Sequence, residues 1–337
     1  MNELHVGLDL GKNWFHFIGH DTQGRTVLQK KTSRAHLVNA FAQLPRAVIG
    51  MEACSGAHYF AAKLRELGHE VRLIPGQFVK PYRKSQKNDF NDAEAIAEAV
   101  SRANMRFSRA RSMEELELQA FHRARDRIVR ESTAQGNQIR AFLIEAGISV
   151  RQGRAPLARR VRELLAPDAT EITPRLRRLI AILWERYAEL ERTEQSLTRE
   201  LAEVAQSSPA CQRLLTIPGV GVITATALVS AVGDAKQFRR GRDLAAWIGL
   251  VPRQLTTGGK PKLVGISKGG NPYLRRLLVQ GARSALAWAQ YRDNRVMRWF
   301  NALRTRVHPN VAVVALANKV ARISWALLTR KEVFAAA

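Results

Sequence analysis

The first hundred residues constrain this chain most, because short β-rich runs alternate there with segments of helical period. Strands are expected at His5–Leu10, Trp14–Gly19, Thr26–Lys30, Ala47–Met51 and Glu70–Ile74, from β-branched and aromatic runs bounded by Gly, Asn and Pro. Ala57–Leu67 repeats its apolar residues at helical spacing and stops at Gly68, and Asn88–Ser101 is helical again. That order predicts an α/β layered domain.

The length of 337 residues calls for more than one domain. Charge is the outlier of the composition, with 54 Lys and Arg against 29 Asp and Glu, a formal net charge of +25. Such a balance points to a polyanionic partner, and nucleic acid comes before lipid because the basic residues are spread over many elements. Residues 207–337 hold 21 basic and four acidic side chains, against 14 and ten in 1–105 and 19 and 15 in 106–206. We therefore divide the chain into a catalytic segment 1–105, a connector 106–206 and a nucleic-acid-binding segment 207–337. Cys54 and Cys211 alone make neither a disulfide framework nor a zinc pair, which suits a reducing, cytoplasmic compartment. The N-terminus has no basic stretch leading into an apolar one, and Val311–Ala317 is too short an apolar run to cross a bilayer, so no membrane partner is expected.

The connector has 19 Arg and no Lys, and a heptad ladder at Leu176, Leu183, Leu190, Leu197 and Val204. It predicts a long helix over about 173–205, with Thr173 as N-cap and Pro174 at the first helical position, either packing on its own domain or pairing as a coiled-coil arm with a second helix or subunit. The last segment is read as mostly helical, interrupted by a polar, glycine-rich loop from Val251 to Asn271.

Four carboxylates carry the chemistry. Asp9 interrupts the apolar run Val6–Gly11, where an uncompensated charge is expensive, and Glu52 ends the apolar run Ala47–Met51. Asp89 and Asp92, three apart at a helix start, share one face about 5–6 Å apart at Cβ. Each alone is ordinarily a cap or a solvated acid. Brought together they repel by about 4 kcal/mol per close pair unless a cation neutralises them. Hard oxygen ligands with no His or Cys among them suit Mg²⁺ or Mn²⁺, as a pair of ions serving phosphodiester cleavage. His16 and His20, four apart on a strand, are read as packing residues. The opening Gly7-Leu8-Asp9-Leu10-Gly11-Lys12 also looks like the first phosphate loop of actin-like sugar kinases and chaperone ATPases, but the second phosphate loop and the adenosine turn of that class have no counterpart in the sequence.

In the basic segment, Leu214–Gly221 has the Gly-x-Gly turn of a helix-hairpin-helix, with Gly219 and Gly221 as candidate phosphate contacts. Thr256, Thr257, Lys260, Lys262 and Lys268 place hydroxyls and ammonium groups in the polar loop, with Ser267 as a further hydroxyl. Asn271 caps a helix that begins at Pro272, and Arg275 and Arg276 in its first turns are expected to flank a nucleic-acid backbone.

These residues resemble the DEDD insertion-sequence transposases of the IS110 family, and its IS1111 branch above all. Gly7–Lys12 matches the motif of the first acid, Met51-Glu52-Ala53 that of the second and Lys87-Asn88-Asp89-Phe90-Asn91-Asp92-Ala93 that of the last two. Residues 214–219, 238, 245–253 and 265–271 resemble the family's C-terminal domain. The resemblance implies an RNase H-like (RuvC-like) α/β domain, a helical coiled-coil connector and a mainly helical C-terminal transposase domain. It implies a dimer or tetramer that recombines donor and target double-stranded DNA at the bacterial nucleoid, guided by a structured RNA. It also implies a serine nucleophile before a glycine, linked covalently to DNA. Here that position reads Thr256-Thr257-Gly258, which makes Thr257, or Thr256 with the register shifted by one, the candidate nucleophile. The alternatives are a junction-resolvase-like nuclease that uses the acids with water, and a non-catalytic nucleic-acid-binding protein.

Overall fold

The computed structural model describes residues 4–84, 86, 88–288 and 295–334; Lys87 of the third motif lies outside them. The chain forms two compact units, Met1–Met113 and Glu114–Ala337.

In the first unit, β1 (Leu4–Leu10), β2 (Trp14–His20) and β3 (Thr26–Ser33) form an antiparallel meander. After α1 (Leu37–Ala42), β4 (Ala47–Glu52) returns parallel to β1, and after α2 (Ala57–Glu66), β5 (Glu70–Ile74) lies parallel to β4. The sheet order is β3-β2-β1-β4-β5. A short α3 (Gly76–Val79) and then α4 (Asp89–Val100) complete the unit. Alternation sorts the two faces. Val6, Leu8, Phe15, Phe17, Ile49 and Met51 point into a core with Leu37, Phe41, Phe60 and Leu64 of α1 and α2. The opposite face carries Gly7, Asp9, His16, Gly50 and Glu52, and α4 lies across it. Two neighbouring glycines make that approach possible, because Gly7 and Gly50 are paired in register. A Cβ on Gly7 would fall 2.0 Å from the Ala93 carbonyl oxygen, and one on Gly50 would fall 2.7 Å from Val100 Cβ. The edge strand β3 is largely exposed and carries Lys30 and Lys31, which discourages pairing with another chain.

In the second unit, α5 (Met113–Glu145), α6 (Arg154–Leu165) and α7 (Pro174–Ser207) build one core around Ile139, Leu143, Leu157, Val161, Ile180 and Tyr187. Thr173 caps α7 through its hydroxyl and Pro174 opens the helix. The heptad ladder sits at the edge of the seam, and the deepest line on α7 runs Ile180, Tyr187, Glu194, Leu201. A charged residue at one core position hid that line. Glu194, 8 % exposed, is held by Arg125 and Arg154. α7 packs against other helices of the same chain, α5 and α6 among them, and the Gln135 side chain of α5 donates to the Leu183 carbonyl.

The rest of this unit is α8 (Pro209–Leu215), α9 (Val222–Val232), α10 (Gly241–Ile248), the strands β6 (Pro252–Thr257) and β7 (Lys260–Ile266), α11 (Pro272–Trp288), α12 (Arg295–Arg304) and α13 (Pro309–Arg330). The segment expected to be a loop between Val251 and Asn271 is instead a β-hairpin. Its two-residue turn places Gly258 and Gly259 at φ +57° and +75°, the left-handed pair that a tight hairpin turn uses. By length and composition alone α13, longer than the Val311–Ala317 run, passes for a bilayer-crossing helix, a test that buried core helices also pass. Its buried residues Leu316, Ala317, Val320 and Ala321 nonetheless lie in the core that α8–α12 share.

Candidate active site

The carboxylate face of the first unit assembles from its backbone register. Asp9 is paired with His16 across the β1–β2 hairpin, and Glu52 lies one step beyond the Leu8–Met51 pair of β1 and β4, so Glu52, Asp9 and His16 fall in a row across three strands. The same row continues to Lys31 of β3, the partner of His16. The α4 N-terminus, capped by Asn88 Oδ1 on the Phe90 N–H, brings Asp89 down to this row.

Donor atoms of Asp9, His16 and Asp89 lie within 4.8 Å of one another. His16 is 6 % exposed, and its Nδ1 has no hydrogen bond among the described residues, although Asp89 Oδ2 is 3.5 Å away. The Phe90 ring meets the imidazole edge-on at 4.7 Å between centroids and fixes its orientation. Glu52 is half-buried against Gly76, where a Cβ would fall 2.4 Å from Glu52 Oε1, so a glycine makes room for the carboxylate. Burial raises the Cys54 thiol pKa, and the charges of Glu52 and Asp9 raise it further, as expected where both acids lie close by. Asp92 is turned aside, with its Oδ1 2.6 Å from Arg83 Nε.

The structure thus brings together Asp9, Asp89 and, through strand register, Glu52, while Asp92 is engaged by Arg83. His16 packs in the sheet face against Phe90, as the sequence reading has it, and its Nδ1 also lies beside the two acids. The hairpin Gly11-Lys12-Asn13 carried the signal, since so tight a turn forces Asp9 opposite His16. Two further residues border the row: Trp14 is 53 % exposed, and Lys31 Nζ stands 4.8 Å from its ring centroid. The residues suit a divalent cation, because a buried imidazole nitrogen with no hydrogen bond among the described residues lies beside two carboxylates.

In the second unit, Thr257 is the last residue of β6 before the glycine turn and is exposed. Thr256 accepts a bond from Gln254 Nε2 at 2.9 Å, and on a strand it faces opposite to Thr257, so the one-residue ambiguity is a choice of face. Lys260, Lys262 and Lys268 are exposed, the last at φ +54°. Ser267 hydrogen-bonds through its backbone to Val251. Arg275 donates to the carbonyls of Ile248 and Gly269, tying the glycine loop to α10, and Arg276 is paired with Asp126. Gly221 is exposed at the α9 N-cap. Gly219, at φ +84°, is packed against α11, where a Cβ would fall 2.4 Å from the Gly281 carbonyl oxygen, and one on Gly281 would fall 2.1 Å from that of Gly219.

A carboxylate–imidazole cluster at the strand ends of an α/β sheet is a grouping that metal-assisted phosphodiester chemistry uses. The comparisons make the class specific. Residues 6–147 match a DEDD transposase family model, and residues 211–297 match one described as Transposase IS116/IS110/IS902 family. The chain is 45 % identical over 329 residues to the transposase for insertion sequence element IS1328 of Yersinia enterocolitica, covering 98 % of both chains. It is 42 % identical to the transposase for IS1111A of Coxiella burnetii, covering 98 % of this chain and 90 % of that one. A probable family 20 transposase of Pseudomonas aeruginosa is 44 % identical, with 98 % of both covered. The chain belongs to the IS110 family of insertion-sequence transposases, which are DNA-recombining enzymes.

Proposed function

We propose that this transposase cuts and rejoins double-stranded donor and target DNA in the bacterial cytoplasm. In this reading the first unit is an RNase H-like (RuvC-like) domain, which the sheet order β3-β2-β1-β4-β5 supports. The observation that carries the proposal is the convergence of Asp9, Asp89 and His16 donor atoms within 4.8 Å, with Glu52 beside them in register. Asp9, Glu52 and Asp89 would hold one or two divalent ions, Mg²⁺ or Mn²⁺, with Asp92 joining them if Arg83 released it; when bound, the ions would supply charge neutralisation and polarisation of the scissile phosphodiester. The Thr257 hydroxyl, or Thr256 on the other face, attacks phosphorus, so that a threonyl O–P bond forms as the P–O bond to a deoxyribose oxygen breaks. The hydroxyl proton leaves to solvent and the departing oxygen takes one up; reversal onto a new strand end rejoins the DNA. Lys260, Lys262 and Lys268 contact phosphates, a structured RNA guides the choice of sites, and the protein works as a dimer or tetramer.

Incubation with element-end DNA and a divalent ion, followed by a denaturing gel, tests this directly. A covalent protein–DNA band is expected that Thr257→Ala abolishes; loss only with Thr256→Ala moves the role by one residue. A second reading, hydrolysis by water at the acids alone, is favoured by one observation: the cluster is assembled within the first unit. Cleavage without any adduct would establish it. RNA that copurifies with the protein, identified by sequencing, tests the guide.

A further inference from the structure

We propose that His16 Nδ1 is a direct ligand of the metal ion held by Asp9 and Asp89, and that this nitrogen makes the centre select Mn²⁺ over Mg²⁺. The inference rests on the reading of those acids as a metal centre and goes beyond it, because it adds a nitrogen ligand to them.

Three observations carry it. His16 is buried and its Nδ1 has no hydrogen bond among the described residues; a buried polar atom left so costs about 1–3 kcal/mol. The nearest acid, Asp89 Oδ2 at 3.5 Å, is too far for a good hydrogen bond but close to the spacing of two donors on one ion. Neighbouring ligands of an octahedral ion about 2.1 Å away sit about 3 Å apart, so a shift of about half an ångström brings His16 Nδ1 and Asp89 Oδ2 to that spacing. Finally, the Phe90 ring holds the imidazole in place, as a support fixes a metal-binding histidine.

The chemistry follows from ligand type. Mg²⁺ is hard, dehydrates reluctantly and takes oxygen, whereas Mn²⁺ accepts imidazole nitrogen more readily at the same coordination number. A buried imidazole in the first coordination sphere therefore penalises Mg²⁺ and favours Mn²⁺. The neighbouring Glu52 and the exposed side of Asp89 leave oxygen positions for a phosphodiester and water.

The test uses the full-length, untagged protein loaded with one equivalent of Mn²⁺. Pulsed electron paramagnetic resonance is expected to show the hyperfine coupling of a coordinated imidazole ¹⁴N, absent in His16→Asn and His16→Gln. Competition between the ions is expected to give wild type an affinity for Mn²⁺ at least about tenfold above that for Mg²⁺, with most of the margin lost in both variants. Circular dichroism confirms that the variants are folded, and Asn is the substitution that keeps an oxygen near the Nδ1 position. Absence of the ¹⁴N coupling in wild type, its persistence in both variants, or an unchanged ion preference overturns the proposal. The Asp9→Asn, Asp89→Asn double variant separates it from the underlying reading. If that variant still binds Mn²⁺ at this stoichiometry, the acids are not the centre; if it loses the ion while wild type lacks ¹⁴N coupling, only the nitrogen ligand is refuted.

Discussion

Asp9 and Asp89 bring carboxylate oxygens within 4.8 Å of each other beside His16, and two such charges repel. Asp9→Asn is therefore expected to lower strand cleavage at least about a hundredfold while leaving the metal-free melting temperature unchanged or raised. A parallel fall in melting temperature would show that Asp9 supports the fold instead. Arg275 and the exposed lysines part company in the same way. Arg275→Ala removes bonds to two carbonyls and is expected to destabilise the second unit by about 1–3 kcal/mol in urea unfolding. Lys260→Ala with Lys262→Ala is expected to weaken DNA binding at constant stability. At this scale the sequence announced the acids by their chemistry, since a carboxylate inside an apolar strand needs a reason. It did not announce the commitments of Arg275 and Arg276, because both depend on partners far along the chain, at Ile248 and Asp126.

At the level of elements, the five strands and the helices α2 and α4 of the first unit follow the expected spans to within three residues, since hydrophobic period and glycine stops determine them, whereas the short α1 and α3 carried no expectation. The 252–266 hairpin escaped detection because its strands are exposed on both faces and carry no apolar alternation. The approach of α4 to the sheet belongs to this scale too. Gly7→Ala places a methyl carbon against the Ala93 carbonyl, so α4 must lift and carry Asp89 away from Asp9. A loss of about 1–3 kcal/mol or more is expected, together with a fall in metal affinity that calorimetric titration reads. On α5, burial and the Arg125 charge lower the His122 pKa to about 4, and its Nδ1 meets the Tyr273 hydroxyl at 3.0 Å. The unfolded state, with its higher pKa, binds the proton first, so stability is complete above about pH 6.5 and falls towards pH 4 by up to about 3 kcal/mol. His122→Gln is expected to flatten that slope in unfolding measured between pH 7 and 4.

For the molecule as a whole, charge distribution makes the prediction. The 21 basic and four acidic residues of 207–337 are the proposed DNA-facing excess; on that proposal affinity for duplex DNA is expected to fall roughly a thousandfold between 50 and 200 mM salt if six or more phosphates are contacted. A flat response in a salt titration would remove that segment as the DNA face. The charge excess is legible in the composition, whereas the packing of α7 inside its own unit is not, because a heptad period says that a helix has a partner and not whose it is. The mutual contact of Gly219 and Gly281 has a consequence for how such a molecule can change over generations. Each backbone rests on the other's carbonyl, and neither residue has a side chain left to trim. A bulkier residue at one position has no compensating reduction at the other, so the turn before α9 and the middle of α11 are expected to resist drift together, with no second-site suppressor available between them.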